Sequence, residues 1–419
     1  MEICPVFNWI TTCHYLYSSK FFILENKVNL LLCSILHLHK NTYLFNYLKA
    51  IAFVFSLLCT HITKAQNITD SNQLKLPAVN NYFYQGLTYG SQRNFNPLTV
   101  LLNRGFEMLR ITQQNTRYSP FVPSYKFKNI VKNLANPIQG VQQYGTKEFF
   151  LEQVIPFGDP SRPYWFPNYA LHMLEGGVTY TGLKEWFELH GAKYPKTYSA
   201  AVVISAALIN ESVEEKVTNG NFRLNVDAVA DFWIFDVGGI LLFQSKRVNK
   251  FMSQTLHMRD WSKQPAVYLP TLNLANCGQF LSLKWNLPKL KNVSFFSLVG
   301  LGGMGGLSYQ FKNNTSLSMG IGHGPKRKES TILGLPVDVH LVPMLGIYYD
   351  KNNSLLASLE LSNSKNDLYH NYFAELNLYP GFIKLKKLDP TLWLTIARDG
   401  DFLIGLGCKY TYGVGLGLR

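Results

Sequence analysis

Six residues between positions 168 and 240 have types and spacings suited to a buried chemical centre. His172 and Glu175 are three apart, which on an α-helix puts both side chains on one face. Asp227 and Asp231 are four apart and share a face in the same way. Asp236 follows Asp231 by five, which at 3.6 residues per turn swings it about a third of the way round. Glu211 closes a long apolar run. Ionisable groups in such surroundings are costly to keep and often functional. Several carboxylates and one imidazole can hold a divalent metal, or act as acid and base on a lipid-like substrate. The spacing His172-x-x-Glu175 has the geometry of a diiron-type Glu-x-x-His in reverse order, with one His and no second copy. A plainer reading is an internal polar network that orients the helices. A third is the polar lining of a pore or ligand path. The candidate catalytic set is therefore His172, Glu175, Glu211, Asp227, Asp231 and Asp236, with no metal and no cofactor assigned.

Other motifs fall short of chemistry. Gly300 to Gly306 reads G-L-G-G-M-G-G but lacks the Lys-Ser/Thr and helix of a phosphate loop, so it is expected to be a turn or kink between strands. No G-x-S-x-G occurs, and no spacing supports a Ser–His pair such as Ser318 or Ser358 with His340. His190, His257, His323, His340 and His370 have no metal spacing. Glu185, Glu188, Glu214 and Glu215 read as solvated helix-end charges. No CxxC occurs, which excludes a zinc ribbon or a thioredoxin-type site.

The elements that must position the six residues are helical. Asn168 is a candidate cap for a helix through Leu171, Leu174, Val178 and Leu183 to Trp186, ended by Gly191 and Pro195. A second helix is expected over Ser199 to Glu215, apolar on nearly every face, and a third from Asn225 to Phe243. The apolar runs are shorter than a full membrane span requires. Gly176-Gly177 and Gly238-Gly239 are expected close-packing points. Earlier, Asn96-Pro97 reads as a helix entry, Gly105 as a break, and Lys126 to Leu134 as a weakly amphipathic helix.

From about residue 279 the apolar period changes from helical to two. Phe402, Ile404, Leu406 and onward to Leu418 line one face, with Gly, Lys and Thr on the other, and this stretch reads as one long strand. The same alternation runs through Leu281–Leu287, Leu317–Ile321, Leu355–Leu361 and Tyr372–Leu378. Lys312–Thr315, Asp350–Asn353 and Arg398–Asp401 supply hairpin turns. Roughly eight to ten strands are expected, enough to close a small barrel.

Composition and the N-terminus set the compartment. Charged residues make up 16%, well under the quarter usual in globular chains, while aromatic residues reach 14%. The net charge of +14 comes from scattered basic residues without a nucleic-acid motif, so anionic lipid headgroups are the expected partner and nucleic acid is not. Leu48 to Gln66 reads as a secretory signal, with Lys49, the apolar Ala50–Cys59 and the small residues Thr63 and Ala65. Residues 1–47 ahead of it are expected to be a gene-model artefact or a disordered leader. Four of the six cysteines precede the expected cleavage site, leaving Cys277 and Cys408, which permit a disulfide without implying one.

The signal and the strands ending in Gly413-Val414-Gly415-Leu416-Gly417-Leu418-Arg419 resemble Gram-negative outer-membrane β-barrel proteins. The terminal Arg419 departs from the aromatic end of many such barrels. The helical block also resembles an uncharacterised exported family through His172 to Gly177, Asn210-Glu211 and Asp227 to Gly239, which implies no activity. The expected fold class is α+β: a signal segment at 48–65, a mixed region at 66–167, a helical block at 168–255 and an antiparallel transmembrane-type β-barrel at 270–419. The expected function is an outer-membrane protein with a structural, transport or anchoring role. The alternative is a lipid- or envelope-modifying enzyme built on the six residues. Outer-membrane lipid is the expected partner, with a small or lipid-like ligand as a second candidate.

Overall fold

Helices begin and end where local chemistry dictates. Asn96 accepts hydrogen bonds from the N–H groups of Leu98 and Thr99, Thr99 accepts one back from Asn96 N, and Pro97 opens the helix. That helix ends at Gly105, whose added Cβ would lie 3.0 Å from Ile209. The computed structural model describes residues 81–111, 124–159, 165–217, 226–270, 272–327, 339–363, 373–385, 388–398, 400–408 and 410–419. The readings for 1–47 and for the signal at 48–65 lie outside the described residues.

The helices include α1 (Gly90–Asn94), α2 (Pro97–Gly105), α3 (Ser124–Ala135), α4 (Pro137–Tyr144), α5 (Glu175–Leu189), α6 (Pro195–Val217), α7 (Val226–Val229) and α8 (Val237–Leu242), with further short pieces such as Thr146–Phe149 and Lys246–Lys250. π-helical turns interrupt them at Phe150–Val154, Asn168–Leu174, Ala230–Asp236 and Phe251–Thr255. Asn168 does not cap a helix, contrary to the sequence reading: the helical run starts earlier, at Trp165, and Asn168 Nδ2 instead donates to Gln153 O. α6 packs Val203 against α2 and α5, where Leu183, Tyr180 and Phe95 complete that core, and packs Ala207 against Ile130 and Leu134 of α3 and Ala228 of α7. Burying each such large apolar side chain contributes about 1.5–3 kcal/mol. No helix among the described residues is long and apolar enough to cross a membrane.

Among the described residues the rest of the chain forms one mixed sheet of thirteen strands, so the fold class is α+β. The strands are β1 (Arg259–Asp260), β2 (Ala266–Tyr268), β3 (Asn273–Ala275), β4 (Phe280–Asn286), β5 (Val293–Gly300), β6 (Gly303–Gln310), β7 (Thr315–Arg327), β8 (Val339–Lys351), β9 (Ser354–Ser362), β10 (Ala374–Leu378), β11 (Thr391–Ile396), β12 (Phe402–Gly407) and β13 (Gly415–Leu418). Strands β4 to β13 follow each other in chain order, and the ladder continues through β2 to β3, with β1 on the outer side of β4. The named ladders therefore form an open series ending at β1 and β3, not a closed ring. Two further backbone bonds link the segments beyond those ladders: Trp261 N to Phe280 O, 2.8 Å, and Lys263 N to Gly278 O, 2.9 Å.

Three differences from the sequence reading have physical causes. The sheet begins at Arg259, ahead of residue 270, because short strands of two or three residues carry too little alternation to be read. The sheet is not wholly antiparallel, since β13 pairs with β2 in parallel. The expected single strand from Phe402 to Leu418 is a hairpin: Tyr412 (φ 50°) and Gly413 (φ 82°) turn the chain, and Thr411 Oγ1 donates to Cys408 O. Elsewhere the turns fall where expected, with β6–β7, β8–β9 and β11–β12 joined at the three hairpin sites. Gly300 and Gly303 flank the β5–β6 turn. Cys277 and Cys408 are free thiols.

Candidate functional site

The site grows from the way α2 is stitched to the sheet. Asn103 Nδ2 donates to Lys263 O and its Oδ1 accepts from Gly278 N, both at 3.0 Å. The next residue, Arg104, is therefore held pointing into the helices. Its Nη1 donates to Leu171 O at 2.9 Å and its Nη2 reaches Asp236 Oδ1 at 2.5 Å. Burial alone would lower the guanidinium's pKa, but Asp236, Glu175 and Glu107 raise it on balance.

The π segments place the acids. In α-helix geometry Asp231 and Asp236 would diverge, as the sequence reading held. In the structure both lie in the π segment Ala230–Asp236, where hydrogen bonds close over five residues, as from Val237 N to Phe232 O. Residues five apart then come back to one face. Asp236 Oδ2 lies 3.3 Å from His172 Nδ1, and Asp231 Oδ2 lies 3.7 Å from His172 Nε2. His172 itself sits in the other π segment, Asn168–Leu174, whose last turn bonds Glu175 N to Ala170 O. The helices that continue the two segments pack closely: a Cβ on Gly239 of α8 would meet the Met173 carbonyl oxygen at 2.4 Å, and one on Gly177 of α5 would meet the Phe243 ring. These glycines are the close-packing points expected from sequence.

All six expected residues gather in this region. Glu211 from α6 brings a carboxylate oxygen within 4.8 Å of ligand atoms of His172 and Asp231. Glu175 neighbours Arg104, Glu107 and Asp236, and Asp227 is part-buried beside Gln153, which donates to its side chain. Sequence reasoning missed Arg104 and Glu107. Asn210 Nδ2 holds Glu107 Oε1 at 3.0 Å and also donates to Arg104 O. The signal was present as charged residues, Arg104 and Glu107 among them, inside the largely apolar stretch 98–111.

The electrostatics are unbalanced. Burial, first of all, pushes Glu107 up to about 7, with Arg104 and His172 opposing. Burial and the neighbouring carboxylates push Glu175, Glu211 and Asp231 well above the ordinary carboxylate range, and burial raises Asp227. Both oxygens of Glu175, Glu107 Oε2, Glu211 Oε1 and Asp231 Oδ1 are buried without a hydrogen-bond partner. Such groups are rare in folded proteins and each costs about 1–3 kcal/mol.

Other sequence candidates lie elsewhere. Glu185, expected as a solvated charge, is 3% exposed and accepts from the N–H groups of Tyr82, Phe83 and Tyr84. Ser318 Oγ donates to Ser308 Oγ, and its register partner Tyr348 stands eight residues from His340 along β8. His190 stacks on Trp186. No family model, curated protein or solved structure matches the chain.

Proposed function

We propose that the protein is an outer-membrane-type β-barrel with a filled interior, which anchors the helical block at a membrane. The observation that carries this reading is one row of cross-strand neighbours. Trp285, Phe295, Leu307, Met319, Ile347, Leu359, Leu376, Leu394, Ile404 and Leu418 pair in turn across β4 to β13 without a polar residue among them. Leu307 is 56% exposed, and Ile321 in the parallel row is 72% exposed. Trp285, Phe295, Met319 and Leu418 of the row are exposed as well, whereas Leu359 and Leu376 are buried, so the exposed apolar band runs over β4 to β7 and returns at β13, and such a band suits lipid better than water.

The opposite face supports the same reading. Lys284, Glu360, Glu375 and Thr395 stand on it with serines and glycines between, and they are buried. Lys263 Nζ bridges Glu360 Oε1 at 2.7 Å and Glu375 Oε1 at 2.6 Å, and Lys284 Nζ meets Asp350 Oδ2 at 2.5 Å. Polar groups within and apolar groups without is the inverse of a soluble sheet. Trp261, Phe280, Phe296, Tyr348 and Tyr379 pack together on that inner side, which favours anchoring over conduction.

Closure would come through one hairpin. β1 and β2 lie on the segment 259–268, and β3 and β4 on 273–286, joined by the Trp261 and Lys263 backbone bonds. Counted as one strand each, the two segments would complete a ring of eleven with β5 to β13. An up-and-down ring with an odd number of strands needs one parallel pair, and β13–β2 is parallel. The test is alkaline extraction of expressed membranes together with a heat-modifiability gel. Retention in the pellet and a mobility change on boiling support the barrel, whereas extraction into the soluble fraction with no mobility change rejects it.

The second reading is a lipid- or envelope-modifying enzyme that uses the six residues. It is favoured by the unpartnered carboxylates around His172. Asp231→Asn should then abolish activity on a lipid substrate while the barrel still folds.

A further inference from the structure

We propose that His172, Glu211 and Asp231 form a binding site for one divalent transition-metal ion. The inference is independent of the membrane reading, since it rests on the helices alone. Each residue comes from a different helical element, yet one ligand atom from each lies within 4.8 Å of the others. Metal–ligand bonds to nitrogen and carboxylate oxygen are about 2.0–2.2 Å, so two ligands on one ion stand at most about 4.4 Å apart. A closing movement of a few tenths of an ångström would satisfy all three.

A cluster of acids alone would not assign an ion, but two further observations do. Asp231 Oδ1 and Glu211 Oε1 are buried and have no hydrogen-bond partner, and the two residues are only 2% and 1% exposed. Their desolvation is uncompensated unless a cation or a proton joins them. The imidazole is also held as a ligand. Asp236 faces Nδ1 and is itself fixed by Arg104, which leaves Nε2 turned toward Asp231. A carboxylate behind a histidine is the usual outer support of a metal-binding ring, since it sets the tautomer and orientation.

The donor set defines the ion. One imidazole and two carboxylates neutralise a double positive charge. The nitrogen donor suits Zn²⁺, Mn²⁺ or Fe²⁺ better than Ca²⁺ or Mg²⁺, which favour all-oxygen sites. A bound ion would tie the two π segments to α6 and relieve the repulsion among their carboxylates.

The experiment uses the full chain in detergent, stripped with a chelator and titrated with Zn²⁺ or Mn²⁺ alone. One equivalent should bind and raise the unfolding temperature. Asp231→Asn and Glu211→Gln should each weaken binding at least about tenfold, and Glu188→Gln, which removes an exposed carboxylate on α5, should not. Equal binding by the four proteins, or none by the folded wild type, overturns the site. Pulsed electron paramagnetic resonance of Mn²⁺ on the wild type needs no variant to fold. A coordinated imidazole nitrogen is expected, and bound Mn²⁺ with no nitrogen coupling rejects the proposal.

Discussion

Asp231 and Asp236 address the two nitrogens of a single imidazole, at 3.7 Å from Nε2 and 3.3 Å from Nδ1 of His172. They lie five positions apart, and only the π turn of Ala230–Asp236 returns both to one side of the helix. Asp236 also receives Arg104, so one carboxylate links α2 to the histidine.

Arg104 is buried with Asp236 as its charged partner. Replacing Arg104 by Met leaves Asp236 and its neighbours without a cation and should lower stability by about 3–5 kcal/mol. Pairing it with Asp236→Leu should recover part of the loss. Urea unfolding of the three variants measures both, and a double variant weaker than the sum of the singles would contradict the pairing.

Lys263 carries two carboxylates inside the sheet. Lys263→Met should cost about 3–5 kcal/mol, because Glu360 and Glu375 lose a common partner. Arg110, 3.8 Å from Glu375 Oε2, remains as a weaker one. Adding Glu360→Gln to Lys263→Met should reduce the loss, as seen in the urea midpoint.

Glu185 gives a pH signature. Burial raises its pKa above 4.5 even though three backbone N–H groups and Lys184 favour the charged form. Between 4.5 and the raised value the folded chain holds a proton that the unfolded chain has released. Stability from this group therefore falls as pH rises through that window and is level on either side. Glu185→Gln should lose about 1–3 kcal/mol at neutral pH through mismatched donors. The wild type's advantage over it should shrink as pH rises across the window, and a constant difference between roughly pH 4 and 8 would contradict the shift.

How much was legible depended on length and period. The hairpins at Lys312–Thr315 and Asp350–Asn353 were readable because asparagine tolerates positive φ, as Asn314, Asn352 and Asn353 do. The six site residues were readable because charges in apolar helices stand out. Their mutual geometry was not, since π turns leave no mark in hydrophobic spacing and shifted Asp236 toward His172. Arg104 and Glu107 stood out as charges in an apolar stretch, but their link to the site was hidden because Asp236 and Asn210 lie more than a hundred residues away. The parallel β13–β2 pairing was equally hidden, being a contact between chain segments about 150 residues apart.

The most direct measurement places spin labels on single cysteines at Leu307, Ile321, Leu406 and Leu416 on the outward face, and at Ser318 on the inward face, in vesicle-reconstituted protein. Labels at the four outward positions should be accessible to oxygen and shielded from a water-soluble nickel chelate, as lipid-facing sites are. Free access of the chelate to all four would mean that the apolar band faces water, and the membrane barrel would be wrong.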